Sequence, residues 1–393
     1  MVLSKSKKKV FFLIMIIPLL LIIIFTISFY NFYNDFDSFS KEICNNDEIN
    51  QGKLNDFEEY STWLNNLSLP KRHIEIISKK LISFNDSENF FLVFGESTPV
   101  FMGEYQPFKK IDINDPAYYD ISRYPELEEK FSLNLFPNQL SSRLNNMNFE
   151  NLAITGSFSF QIKNNLFETL NELNHKPNFI LFYYGHNDYF IPELYIFLNS
   201  LNRNNLFKKI MTKIDFFKEE NSYKGFLYLF RKSIEYNLIN YDINCFTEME
   251  SIVYENYRKN TIDIVNKLTQ ENISAIFITP ISNLEYIFEN SNADYINLFN
   301  DYDYKDKIKI GFELRDKYFF GDGSHVRSEF NDFLRTIENQ NKDIYTFDLE
   351  NKLIDNNFSF SYNNFDDSQH FNKETHKIVG NMLYEFIINQ GII

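Results

Sequence analysis

The chain has 393 residues and a formal charge of −15, with no sustained basic stretch after its first ten residues, which argues against nucleic acid as a partner. Its two cysteines, Cys44 and Cys245, and six histidines form no CxxC motif or Cys/His cluster, so the sequence implies no metal and no organic cofactor. Phe and Tyr number 44 and 25; in a chain also rich in Asn, Ile and Lys, this reads as a compositional bias and not as an aromatic binding surface.

Residues 5 to 9 read KSKKK, and Val10 to Phe29 contains no charged residue. A run of about 20 apolar residues crosses a bilayer as one helix. Pro18 is tolerable within it. The lysines before it predict a cytoplasmic amino terminus, with the remainder outside a bacterial inner membrane. The rival reading is a cleaved signal peptide, against which stand the length of the run and the bulky exit sequence FTISFYNFYN. Extracytoplasmic placement puts Cys44 and Cys245 where a disulfide is able to form, and their pairing stays open. The sequons at Asn66, Asn85, Asn272 and Asn357 matter only in a eukaryote.

Asn31 to Ser87 reads as a polar stalk or packing segment, helical over Asp56 to Asn66 and Arg72 to Phe84. The first strand, Phe90 to Phe94, stops at Gly95 and is followed by Glu96 and Ser97. Phe101 to Asn148, with Pro107, Pro116, Pro125 and Pro137, is expected to be a long, irregular or interrupted crossover. A second strand is expected over Asn151 to Thr155, ended by Gly156, then a helix over Ser159 to Leu173. A third strand, Asn178 to Tyr184, runs into Gly185, His186, Asn187 and Asp188.

Tyr189 to Phe246 reads as a helical insertion, either an extra packing layer or an amphipathic lid that meets lipid or a partner. A helix over Thr247 to Gln270 and a strand over Ile273 to Thr279 follow. Ile281 to Phe320 reads as a long connection, Ser328 to Asn339 as a helix, Asp343 to Leu349 as a fifth strand, and Lys373 to Ile388 as the closing helix. Strands that are apolar throughout and alternate with helices predict an α/β fold. The expected form is a three-layer α/β/α sandwich with a central parallel sheet of about five strands, spanning residues 89 to 393 after the membrane helix and stalk.

Four short signals fall at strand ends or before the last helix. Ser97 follows strand one, Gly156 strand two and Asn187 strand three, while Asp367 and His370 form a D-x-x-H ahead of the final helix. In a parallel sheet these positions converge on one edge. A second D-x-x-H, Asp322 and His325, competes, but a whole β/α unit still follows it. Asp366 adjoins Asp367, and spacing favours the latter. His186 is expected near the cleft without acting as base, Asp188 in a structural hydrogen bond, and His376 at the surface or in packing. His73 and His175 have no chemical company.

This order and context resembles the SGNH (GDSL-type) hydrolase family of esterases and acyl-transfer enzymes, from about Asn89 to the carboxyl terminus. The resemblance implies that Ser97 is the nucleophile, His370 its general base and Asp367 the carboxylate that orients His370. The backbone N–H groups of Ser97 and Gly156 and the side chain of Asn187 would form the oxyanion hole. The chain departs from the family pattern with Glu96 where GDS has aspartate, and Thr375 where a glycine is usual. The implied activity is a serine esterase cleaving ester-linked acyl groups, acetyl first among them, from an extracytoplasmic small molecule, glycan or lipid. The alternatives are an O-acyltransferase of cell-envelope glycans supplied by a membrane partner, and a non-catalytic envelope assembly component.

Overall fold

Runs that are apolar at every position, not at every second one, belong in a sheet covered on both faces. A computed structural model of the protein describes residues 26–28, 30, 31, 34, 89–96, 135–145, 147–153, 157–188, 243–291, 303–317, 327–338, 342–366 and 369–393. The chain divides into two compact units, Met1–Lys53 with Pro192–Glu248, and Leu54–Ile191 with Met249–Ile393. The sheet lies in the second unit.

Five strands, β1 (Phe90–Gly95), β2 (Asn148–Asn151), β3 (Phe179–Tyr183), β4 (Ser274–Ile278) and β5 (Ile344–Phe347), pair in parallel in the order β2-β1-β3-β4-β5. Every residue of β1 and β3 is buried. Phenylalanine supplies much of the filling. Phe91 stacks on Phe149 and Phe179 at 5.2 and 4.9 Å on one face, while Phe182 stacks on Phe94 and Phe277 at 5.8 and 4.7 Å on the other. These cross-strand ring pairs add to the energy of burial alone. The described phenylalanines therefore serve the core.

Helices cover both faces. One core holds side chains of α1 (Phe136–Arg143), α4 (Leu284–Ser291), α5 (Tyr304–Lys317), α7 (Leu349–Asp355) and α8 (Lys373–Gln390). The other holds those of α2 (Ser159–Glu172), α3 (Ile243–Glu271) and α6 (Ser328–Ile337). From β1 the chain moves outward to β2, then returns across β1 to β3. Right-handed crossovers of opposite direction put α1 and α2 on opposite faces. The reversal leaves a crevice between β1 and β3 at their carboxyl ends, where open α/β sheets bind ligands.

Three expectations from the sequence are corrected. The second strand is Asn148–Asn151 and not Asn151 to Thr155, although Leu152 N–H still donates to the Val93 carbonyl at 2.8 Å. It is an edge strand of partly or fully exposed residues, polar except for Phe149, so the apolar run beside it is a poor guide to its limits. The proline-rich crossover contains α1, which begins with Pro137 in its first turn, where a missing N–H has no cost. The connection after Ile281 contains α4 and α5, and α7 follows β5 directly.

Among the described residues no helix is long and apolar enough to cross a membrane. The expected anchor, 10–29, lies outside them apart from 26–28, as do the stalk, 31–88, apart from 31 and 34, and the insertion, 189–246, apart from 243–246.

Candidate active site

The ladder between β1 and β3 continues one residue past β1. Glu96 N–H donates to the Tyr183 carbonyl at 3.1 Å, fixing the backbone from which Ser97 follows. The buried Glu96 side chain turns toward the end of β3. Its Oε1 accepts the N–H of Gly185 at 2.5 Å and that of Asn187 at 3.2 Å. Gly185 has φ 135°, a left-handed value that a side chain would strain, so glycine is required for this turn.

Asn187 also reaches the loop after β2. Its Nδ2 donates to the Ser157 carbonyl at 3.1 Å. One residue, through its backbone N–H to Glu96 and its side-chain amide to Ser157, thus ties together the residue before Ser97, the residue after Gly156 and the end of β3. A primary amide has two N–H bonds, and the bond to Ser157 orients the second. Ser97 and Gly156 themselves lie outside the described residues.

Asp188 is fully buried behind this turn. Its carboxylate accepts the Ser159 N–H (3.1 Å to Oδ2) and the Ser159 hydroxyl (2.5 Å to Oδ1), and Asn260 Nδ2 donates to that hydroxyl at 3.1 Å. Ser159 opens α2, so the carboxyl stands at a helix amino terminus, where partial positive charge collects. Burial nevertheless dominates and pushes the Asp188 carboxyl up to about 8; the Ser159 hydroxyl opposes the rise and Glu96 adds to it. Behind it the Tyr184 hydroxyl lies 2.9 Å from Thr261 Oγ1, which donates to the Tyr257 carbonyl, and burial drives the Tyr184 hydroxyl well above its usual range.

His370 lies in a tight loop. Phe365 and Phe371 form an antiparallel bridge, Asp366 N–H donates to the His370 carbonyl at 3.0 Å, and Asn372 N–H donates to the Asn364 carbonyl at 3.1 Å. Asn372 then caps α8 by accepting the Thr375 N–H at 3.0 Å. The Phe371 ring meets the Tyr183 ring edge-on at 5.8 Å, which brings the loop to the carboxyl end of β3. Asp367 lies outside the described residues.

The competing pair, Asp322 and His325, also lies outside them, but the flanks of its segment are clear. Asp316 Oδ1 accepts the Ser328 N–H at 2.9 Å and Arg315 donates to Ser328 Oγ at 2.8 Å. Asn331, in the first turns of α6, donates to the Pro280 carbonyl just past β4 at 3.0 Å. α6 therefore begins near the carboxyl end of β4, on the far side of β3.

His186 and His376 are not at the surface. His186 is sealed beneath the turn, its Nε2 3.1 Å from the Ile281 carbonyl. His376 is buried on α8, and its Nδ1 accepts the Phe136 N–H at 3.3 Å. Sequence reasoning gave no role to Glu96, Ser157 or Asn260. Glu96 had a signal, an acid closing a fully apolar strand at the switch point. Asn260 had none, because its partner is 101 residues away.

No protein-family model matches the chain, and no curated protein matches it. Among solved structures it is similar to one described as a possible lipase from Chitinophaga pinensis DSM 2588, at 14% identity and a TM-score of 0.33, covering 78% of this chain and 100% of that one. A likeness of that strength assigns neither family nor activity.

Proposed function

We propose that the protein is a serine esterase of SGNH type, held at the outer face of the inner membrane by residues 10–29, acting on ester-linked acyl groups. One observation carries this reading: Asn187 bonds both to the chain neighbour of Ser97 and to the chain neighbour of Gly156, at the switch point of a parallel sheet.

In this reading Ser97 Oγ attacks the ester carbonyl while His370 takes its proton and Asp367 holds the imidazole and balances its charge. The carbonyl oxygen becomes an oxyanion that accepts from Ser97 N–H, Gly156 N–H and the second Nδ2–H of Asn187. His370 returns the proton to the departing alcohol, leaving an acyl-serine. Water then resolves it; in the transferase form of the same chemistry a sugar hydroxyl does so. Asp188, neutral below about pH 8, places no negative charge behind the oxyanion.

The test is p-nitrophenyl acetate turnover by the full chain in detergent. Ser97→Ala and His370→Ala are expected to abolish it, Asn187→Ala to lower kcat by about 10²–10³, and His325→Ala to retain it. Loss with His325→Ala and retention with His370→Ala would move the base to the 318–326 segment. A wild-type chain that neither turns over the ester nor forms an adduct with a serine-directed phosphonate would overturn the enzyme reading.

A further inference from the structure

Glu96 uses only one of its oxygens to hold the turn. The other, Oε2, faces His186 Nδ1 at 3.4 Å, and neither atom has a hydrogen-bond partner among the described residues. Both side chains are buried, Glu96 at 1% exposure and His186 at 0%. The remaining ring nitrogen, Nε2, meets the Ile281 carbonyl, which can only accept, so Nε2 carries a proton. In a neutral ring Nδ1 is then a bare lone pair, and so is Oε2 of a carboxylate. Two bare acceptors sealed from water face each other at the cost of unmade hydrogen bonds.

One proton between them removes both defects, whether it rests on the acid or on the ring. The 3.4 Å separation exceeds the roughly 2.7–3.2 Å of a formed bond by only a few tenths of an ångström. Among the described residues Asp188, Tyr183, Tyr184 and Tyr257 are neighbouring titratable groups, and each contributes an acidic proton or a hydroxyl, not a cation.

Resting on the esterase reading above, we propose that Glu96 and His186 form a positioning pair that shares one buried proton and holds the 185–187 turn so that Asn187 points into the oxyanion site. The pair accounts for glutamate at a position where the family pattern has aspartate. Glutamate reaches the two turn N–H groups with one oxygen and the imidazole with the other. Aspartate, one methylene shorter, serves one or the other. His186 in turn is fastened to the β4 loop, since the Ile281 N–H donates to the Tyr183 hydroxyl while its carbonyl meets His186. Neither residue touches substrate; both act through Asn187.

The test compares Glu96→Gln with Glu96→Asp in the full chain, with ¹⁵N-labelled histidine. Glutamine keeps an acceptor for the turn and supplies a fixed N–H to Nδ1, so it reproduces the shared-proton geometry without a titratable proton. It is expected to keep kcat within about threefold of wild type, whereas Glu96→Asp loses on the order of 10²-fold in kcat with KM little changed. The His186 ring nitrogens, assigned by elimination from single variants of the other five histidines, are expected to report a bonded Nδ1 in wild type and to shift in Glu96→Gln. Glutamine as damaging as aspartate, or His186 signals indifferent to Glu96→Gln, would overturn the pair. If wild type turns over no ester, the esterase reading fails alone, and the His186 signals still decide the pair.

Discussion

Asp188 couples folding to pH through a single side chain. Its carboxyl, pushed by burial from 3.8 to about 8, holds a proton in the folded state that the unfolded chain gives up over most of that range. The stability this confers is complete below about pH 4 and is lost as pH rises through about 8. Urea midpoints are therefore expected to fall between pH 5 and pH 8.5 in wild type and to change less in Asp188→Asn, which mimics the protonated acid. Ester turnover should likewise decline above pH 8 in wild type, because a carboxylate then stands behind the oxyanion, and the decline should be absent in Asp188→Asn. A midpoint equally pH-dependent in both chains counts against the assignment. That Asp188 serves a structural hydrogen bond was legible from its place after Asn187. Its partner Ser159 was not, because a bond spanning 29 residues leaves no local pattern.

Elements show which sequence signals carry far and which do not. β1, β3, β4 and β5 lie in or against the apolar cores and were readable within one or two residues at each end, because burial on both faces demands unbroken apolar runs. α1, α4, α5 and α7 were missed. Each is short or rich in charge, and they pack through a few residues such as Phe136, Leu140, Leu284 and Leu314. Two predictions test how the elements lock. Gly380 on α8 lies so close to α1 that an added Cβ would stand 2.6 Å from Gln139 Cβ and 3.1 Å from the Phe136 carbonyl. Gly380→Ala is expected to lower stability by about 1–3 kcal/mol through this overlap, despite alanine's better helix propensity, and thermal unfolding would show it. At the far edge, fully buried Arg315 donates to Glu350 at 2.7 Å, and Glu350 also accepts from Arg335 at 2.8 Å. Glu350→Ala removes the shortest ion pair of the buried Arg315 guanidinium, leaving it Asp316 at 3.5 Å and the Ser328 hydroxyl, and is expected to cost about 3–5 kcal/mol. Asp332→Ala, which removes an exposed partner of the same Arg335, should change stability by at most about 1 kcal/mol.

At the scale of the whole molecule, the strand order explains why residues so far apart in sequence make one site. Reversal between β1 and β3 of the direction in which strands are added to the sheet brings the residues after these two parallel strands together, and the β2 loop is drawn in by Asn187. That convergence was legible from the alternation of strands and helices; the Glu96 and His186 packing beneath it was not, since it depends on side-chain reach. The remaining question is where this edge works. Five residues reading KSKKK before an uncharged run, in a chain of net charge −15, describe an orienting signal and not a surface attraction, because an acidic protein is repelled by anionic lipid. Attachment should then be hydrophobic. The protein is expected to stay with the membrane through high salt and alkaline carbonate and to leave only with detergent, at the mass of the uncut chain. Protease added to spheroplasts should degrade it, sparing at most the amino-terminal tip. Release by salt, or a mass short by the first 30 or so residues, would mean that the apolar run serves export alone. Substrate would then be met in solution, and the case for a membrane-bound ester or acyl donor would lose its physical basis.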